Sequence, residues 1–334
     1  MENTVANKKP CVSRQARRNI HQEVTQLIID KMKEGNLVWT CLAPGKNQGF
    51  RRVAAQNWVT KSTYSGINYL ILNYLYGHEP CPYYVTFKQV RRLGGTIKKG
   101  AKGKMIVFYS PYFTQDGQKA LNQEKYNQLS TSEQSKWERK ATLRHFYLFN
   151  MADTENCKDF DYAYWTSAEL PQVEVVSEKG LISGFKSVLD AYTDKPIFKD
   201  HRNKNAYSPT EDVIKLVPVQ RWDNKHDFVA TAFHEMIHSS GHASRCNRPN
   251  LMENLAFGSK NYALEELCAE IGAAFLCHHI GILPKAIDNT AAYLQSWIQV
   301  LENDERLIFK AAAQAQKAVN WILKTDNSNQ KSSI

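Results

Sequence analysis

Phe233-His234-Glu235-Met236-Ile237-His238 is the stretch on which the reading turns. His234 and His238 stand four residues apart, so on an α-helix both imidazoles share one face, one turn apart. Two such nitrogens can grip one divalent cation, most often zinc, and the Glu between them can activate the water on it. The flanks read as that helix. Phe228, Val229, Ala232, Phe233, Met236 and Ile237 recur at helical spacing and predict a buried face. Asp223 or Asn224 can cap its start, and Gly241 can end it.

A catalytic zinc takes three protein ligands and leaves one position open. A third His six residues after His238 would mark a metzincin, but that position is Ser244, and His242 is too close along the chain. The better candidates lie in Tyr262–Gly272, a second predicted helix, where Glu266 and Glu270 share a face one turn apart. Glu266 is taken as the third ligand and Glu270 as the acceptor that orients one His ring. The reverse assignment stays open, and Glu265 is a weaker third choice. The competing reading is a buried helix with two satisfied histidines. His278 and His279 close the second helix, where His suits the dipole, and are not read as ligands. A nucleic-acid deaminase would need a paired-Cys zinc signature that this chain lacks.

At 334 residues two domains are expected rather than one. The seven cysteines are scattered and odd in number, with no C-x-x-C pair, which points to reduced thiols in a cytosol. No secretory signal is expected from the polar, basic start, and no apolar run is long enough to span a bilayer. The net charge of +10 is concentrated. Residues 36–115 hold eleven basic side chains against one acid, Glu79, and the rest of the chain is balanced. One local surface for a polyanion is implied.

That basic block is dense in aromatics, among them Trp39, Trp58, Tyr64, Tyr69, Tyr74, Phe87 and Tyr109. Cations neutralise phosphates and aromatic faces stack on unpaired bases, so the mixture suits single-stranded nucleic acid better than duplex. For any single aromatic, a place in the core is the better expectation. Gly95-x4-Gly100 begins like a phosphate-binding loop, but Ala101 follows where Lys is needed. The pattern predicts instead a helix over 86–93, a glycine turn, a basic hairpin and strands at 105–109 and 144–150. Residues 115–140 are polar and Gln-rich and read as an exposed insertion.

In the first 35 residues a leader over 1–12 precedes a helix capped by Ser13 and running to Gly35. Residues 153–171 are acidic and irregular, and a domain boundary is placed there. A short strand at 173–176, a helix over 180–192 and a strand at 213–217 closed by Pro218 follow. The strand at 213–217 is a candidate edge for pairing with an extended substrate. Arg245 and Arg248, near the site, could bind a carboxylate or phosphate, or lie in a solvated loop. Residues 290–324 read as one or two helices, and 326–334 as a polar tail.

Taken together these residues resemble the antirestriction protein ArdC family of mobile elements. The N-terminal likeness rests on Tyr64-Ser65-Gly66-Ile67-Asn68, Thr86-Phe87-Lys88-Gln89, Leu93-Gly94-Gly95, Lys99-Gly100 and Phe149-Asn150. The C-terminal likeness rests on His234–His242 with Arg245, on Glu265-Glu266-Leu267-x-Ala269-Glu270 and on Tyr293-x3-Trp297. Ser240 stands where Thr is usual in the family. The resemblance implies an α+β chain of two domains. These are a single-stranded-DNA-binding domain over 13–152, with the insertion at 115–140, and a zincin-like metallopeptidase domain over 172–324. It implies Glu235 as the catalytic base, with zinc, or another divalent metal, on His234, His238 and Glu266. Lys88, Arg91, Arg92, Lys98, Lys99, Lys102, Lys104, Tyr64 and Asn68 are the DNA-binding candidates. The expected role is protection of incoming DNA from host restriction, with a protein substrate of unknown identity and no membrane partner. The rivals are a non-proteolytic DNA shield with a structural metal, and a protease for proteins crosslinked to DNA.

Overall fold

The computed structural model describes residues 19–35, 37–39, 53–79, 81–115, 119–166, 176–252, 259–282 and 291–325. The expected leader, the Ser13 cap, the strand start at 173–175 and the tail at 326–334 lie outside them. The first described helix, α1 (Ile20–Met32), is capped by Asn19, whose side chain accepts the Gln22 N–H, and buries Val24, Ile28, Ile29 and Met32. Next come β1 (Gln56–Asn57) and α2 (Gly66–Leu70), which runs into a π-helical turn, Ile71–Leu75. β2 (Tyr83–Thr86) leads straight into α3 (Phe87–Arg92) through a capping box: Thr86 and Gln89 bond each other's backbone N–H.

Beyond α3 lie β3 (Thr96–Ile97) and β4 (Lys104–Gln115). The insertion carries β5 (Lys119–Asn122), α4 (Gln123–Asn127) and α5 (Thr131–Gln134) before β6 (Glu138–Asn150), β7 (Thr154–Glu155) and α6 (Tyr162–Thr166). The main sheet has the order β1-β2-β6-β4-β5. The strands expected at 105–109 and 144–150 are the inner parts of β4 and β6. Their antiparallel ladder continues out into the insertion as far as Thr114 opposite Glu138. β7 returns to pair with β3, so the first part of the stretch expected as a linker folds against the N-terminal half.

The C-terminal half contains α7 (Glu178–Ala191), β8 (Ile197–Asp200), β9 (Ala206–Ser208) and β10 (Val213–Leu216). After them come α8 (Lys225–Ser240), α9 (Pro249–Met252), α10 (Lys260–His279), α11 (Ala291–Asn303) and α12 (Leu307–Leu323). The three strands are ordered β8-β10-β9. β10 is therefore flanked on both sides, and the expectation that it is a substrate-pairing edge fails. The edge that packs on α8 is β9, three residues too short to announce itself by alternation.

α8 and α10 cross at the centre. A Cβ on Gly272 would lie 2.7 Å from Cδ1 of Ile237, so only glycine allows this approach. The helix of the N-terminal half reaches the same core. Tyr74 stacks on Phe275 at a tilt of 20° and donates to the Ala274 carbonyl at 2.7 Å, and the Tyr69 hydroxyl lies 2.7 Å from His278 Nδ1. α1 adds Thr25 Oγ1 donating to the Glu305 carbonyl at 2.7 Å. The two halves thus share one buried apolar cluster, a closer union than the polar interfaces usual between linked domains.

Candidate metal centre and basic surface

α8 starts where Asn224 accepts the His226 N–H, as its sequence predicts. One turn of that helix aims two imidazoles at a common point, with Nε2 of His234 and Nε2 of His238 only 2.9 Å apart. Glu266 comes from α10 and places Oε2 3.5 Å from His234 Nε2 and Oε1 3.5 Å from His238 Nε2. Among the described residues these three form the group able to hold a metal, with one ligand atom each and all within 4.8 Å of one another. The donor set fits a divalent cation: two imidazole nitrogens and a carboxylate are the ligands of a catalytic His2Glu zinc. Both imidazoles are buried, whereas Glu266 keeps 27 % of its side chain exposed, so the site opens on the Glu266 side.

The bracing behind the ligands is denser than sequence reasoning foresaw. His238 Nδ1 lies 3.1 Å from Glu265 Oε1. A carboxylate can only accept there, so Nδ1 carries the proton and Nε2 turns toward the cation site. Glu265 is in turn held by Arg248, through Nε at 2.9 Å and Nη2 at 2.6 Å. The same guanidinium donates to Ser240 Oγ at 2.9 Å and to the Ile237 carbonyl at 2.7 Å, closing the end of α8. Gly241 has an ordinary negative φ. Its lack of a side chain matters because a Cβ there would sit 2.8 Å from the Arg248 guanidinium carbon.

This network sets the local electrostatics. Burial alone would depress the His238 imidazole, but the Glu265 hydrogen bond and the Glu266 and Glu235 carboxylates outweigh it and hold it up at about 9. Burial would raise Glu265, but His238 and Arg248 keep it well below the usual carboxylate range.

Glu270 does not do what was expected of it. The acceptor on a metal-site ring is Glu265, while Glu270 Oε1 accepts from the Tyr293 hydroxyl at 2.7 Å. Burial raises the Glu270 carboxyl against the pull of nearby His234. His234 Nδ1 is buried with no partner among the described residues. Glu235, buried beside the ligands, accepts the backbone N–H of Tyr207 in β9 at 2.7 Å. Arg245 pairs with Asp212, donates to the Tyr207 hydroxyl at 3.1 Å and donates through Nε to the Ser239 carbonyl at 2.8 Å. Both arginines are thus buried and paired inside the fold, neither in a solvated loop nor open to an outside carboxylate or phosphate.

The nine DNA-binding candidates divide. Lys88, Arg91 and Arg92 on α3, with Lys99 and Lys102 in the turn beyond, are exposed. Lys98 is half-buried and donates to the Ala152 carbonyl at 2.8 Å. Two others are buried and a third, Asn68, is half-buried. Lys104 is buried between Glu79, at 2.8 Å, and Asp153, at 3.3 Å. Tyr64 is buried, its hydroxyl accepting from Asn57 Nδ2 at 3.3 Å. Asn68 bonds both the N–H and the C=O of Val107, pinning α2 to β4. These three side chains hold the fold together, and engaging a phosphate or a base would mean giving up those bonds.

Paired helices that set a His-Glu-x-x-His turn against a glutamate, beside a small three-stranded sheet, make this half a zincin-like metallopeptidase domain. Residues 189–314 match the zincin-like metallopeptidase family, and residues 18–149 match the N-terminal domain of anti-restriction factor ArdC. The chain thus joins an ArdC-type N-terminal domain to a zincin-like metallopeptidase domain. It is similar to the crystal structures of antirestriction ArdC from plasmid R388. The metal-free form is 26 % identical, with TM-score 0.68, over 92 % of this chain and 97 % of that one. The Mn(II)-bound form is also 26 % identical, with TM-score 0.66, over 92 % and 98 %. DNA primase TraC of Escherichia coli is 28 % identical over 319 residues, which are 92 % of this chain and 27 % of the primase. The chain therefore spans about a quarter of that relative's length. No helix among the described residues is long and apolar enough to cross a membrane.

Proposed function

We propose that this chain binds single-stranded DNA and is a zinc-dependent peptidase, and that it protects incoming DNA from host restriction. The observation that supports the peptidase reading is the convergence of His234, His238 and Glu266 with Glu235 one residue away. When bound there, a divalent cation supplies Lewis acidity toward a scissile carbonyl and toward water. Glu235 takes the proton from the attacking water and passes it to the leaving amine. Glu265 and Arg248 keep the His238 ring turned toward the site. The outer edge of β9, rather than β10, is the place for an extended peptide to align, in exchange for the bond between the Tyr207 N–H and Glu235. Zinc is the proposed cation on ligand type, and the Mn(II) form of a relative makes manganese the comparison.

The test is digestion of a peptide library, read by mass spectrometry, with and without single-stranded DNA, by wild type and Glu235→Gln at equal metal content. Cleavage is expected from wild type and none from the variant. Cleavage surviving in Glu235→Gln removes that residue from the mechanism. A second reading, a DNA shield with a structural metal, draws support from the Tyr207 N–H that engages one oxygen of Glu235. It requires that protection from restriction persist in Glu235→Gln.

A further inference from the structure

We propose that Phe87 and Arg91, on one face of α3, form a platform on which an unpaired base of single-stranded DNA stacks. The proposal rests on the DNA-binding reading above and assigns it to a surface. Phe87 leaves 58 % of its area in water, although it is a purely apolar side chain in a capped helical turn. Nothing in its own helix draws it inward. Val90 is the helix's buried apolar residue, and Gln89 faces in to exchange two hydrogen bonds with Asn57, at 3.1 and 3.2 Å. The capping box fixes the first turn, so Phe87 projects from a rigid base rather than from a loop.

Arg91 stands four residues on and therefore on the same face. Lys88 and Arg92 lie one step round, also four apart, and Lys99 and Lys102 follow in the turn beyond Ile97. All five are exposed, and none makes an ion pair among the described residues. The sequence contains no acid from residue 80 to residue 115. An apolar ring set among unpaired cations suits a flexible polyanion that carries its own aromatic faces. A base splayed from a single strand can stack on Phe87 and beneath the Arg91 guanidinium while its phosphates meet the neighbouring cations. In a duplex the base faces are already stacked and have nothing to offer Phe87. An anionic membrane would need a broader apolar face, whereas Phe87 is the single exposed apolar residue of α3.

The experiment is equilibrium binding of labelled oligothymidine, of a matched duplex and of phosphatidylserine vesicles to the full chain across a salt series. Wild type, Phe87→Ala, Phe87→Trp and Arg91→Gln are compared, with thermal melting to confirm the fold. Phe87→Ala is expected to weaken oligothymidine binding about ten- to a hundredfold with an unchanged salt slope. Phe87→Trp restores it, and Arg91→Gln lowers the slope by about 0.7. Wild type that binds oligothymidine while Phe87→Ala binds as well overturns the platform and leaves the DNA-binding reading standing. Loss in Phe87→Ala that Phe87→Trp does not restore overturns stacking as the cause. Wild type that binds no oligothymidine sinks the DNA-binding reading and the platform with it. Vesicle binding that depends on Phe87, beside oligothymidine binding that does not, assigns the surface to a membrane.

Discussion

Arg248 and Arg91 carry the same guanidinium into opposite surroundings. Arg248 is buried, with Glu265, Ser240 and the end of α8 around it. Arg91 stands in water on α3, with no ion pair among the described residues. A buried cation without partners is prohibitively costly, so Arg248 exists only together with its acceptors and acts on the fold. An exposed cation costs little to leave unpaired and stays available to something outside the chain. The contrast teaches that charge in this chain has two uses, and that burial separates them better than position in the sequence. Lys104 makes the point within the basic segment. It lies two residues beyond Lys102 in the sequence, but its ammonium is paired inside with Glu79 and Asp153.

The largest effect that would test this division comes from Arg248→Met. It strands the Glu265 carboxylate and is expected to cost about 3–5 kcal/mol, read as a lower urea midpoint. Metal affinity, measured by competition with a chelator, should also fall by about ten- to a hundredfold because His238 loses its orientation. Arg91→Met should leave the midpoint within about 0.5 kcal/mol of wild type. Equal effects of the two substitutions would break the comparison.

A somewhat smaller loss is expected for Lys104→Met, about 3 kcal/mol, since Glu79 and Asp153 are left facing each other with some access to water. Its salt slope for DNA should remain that of wild type. A normal midpoint with a reduced slope would move Lys104 to the DNA surface.

The smallest effect is a pH dependence. Hydrogen bonding from Arg245 holds the Asp212 carboxyl below the ordinary carboxylate range, with burial opposing it. A depressed folded-state pKa contributes stability above the unfolded value, near 3.9, and that contribution is lost as pH falls through the folded value. Asp212 is a third exposed, so the contribution is modest. Comparing acid titrations of wild type and Asp212→Asn should show a shallower loss in the variant as pH falls below about 4. Identical curves would mean that Arg245 anchors β9 without Asp212.

Much of the metal end was legible because helical periodicity is unambiguous there. The spacing of His234 and His238 follows from a period of 3.6, and capping chemistry narrowed the helix start to Asp223 or Asn224, but the burial of α8 on every side from Ala232 to Ser240 was not legible. What periodicity could not resolve was which of Glu265, Glu266 and Glu270 faces which neighbour. These side chains differ by rotation about α10, and the rotation is fixed by how that helix crosses α8. In the basic segment the capping box made α3 readable, while the fates of Tyr64, Asn68 and Lys104 were not. Each is decided by a partner far along the chain or on another element: Asn57, Val107 and Asp153. β9 offered almost no signal, being three residues long within a stretch that reads as turn.

The missing side chain at Gly272 has a consequence for how this centre can vary. Ile237 fills the place where a methyl group would be, so the separation of the two helices is set by one hydrogen atom. Widening that gap even slightly would draw Glu266 away from both imidazoles together while leaving every ligand unchanged in identity. Relatives that alter position 272 without trimming position 237 should therefore retain a recognisable signature and yet have lost their grip on the ion.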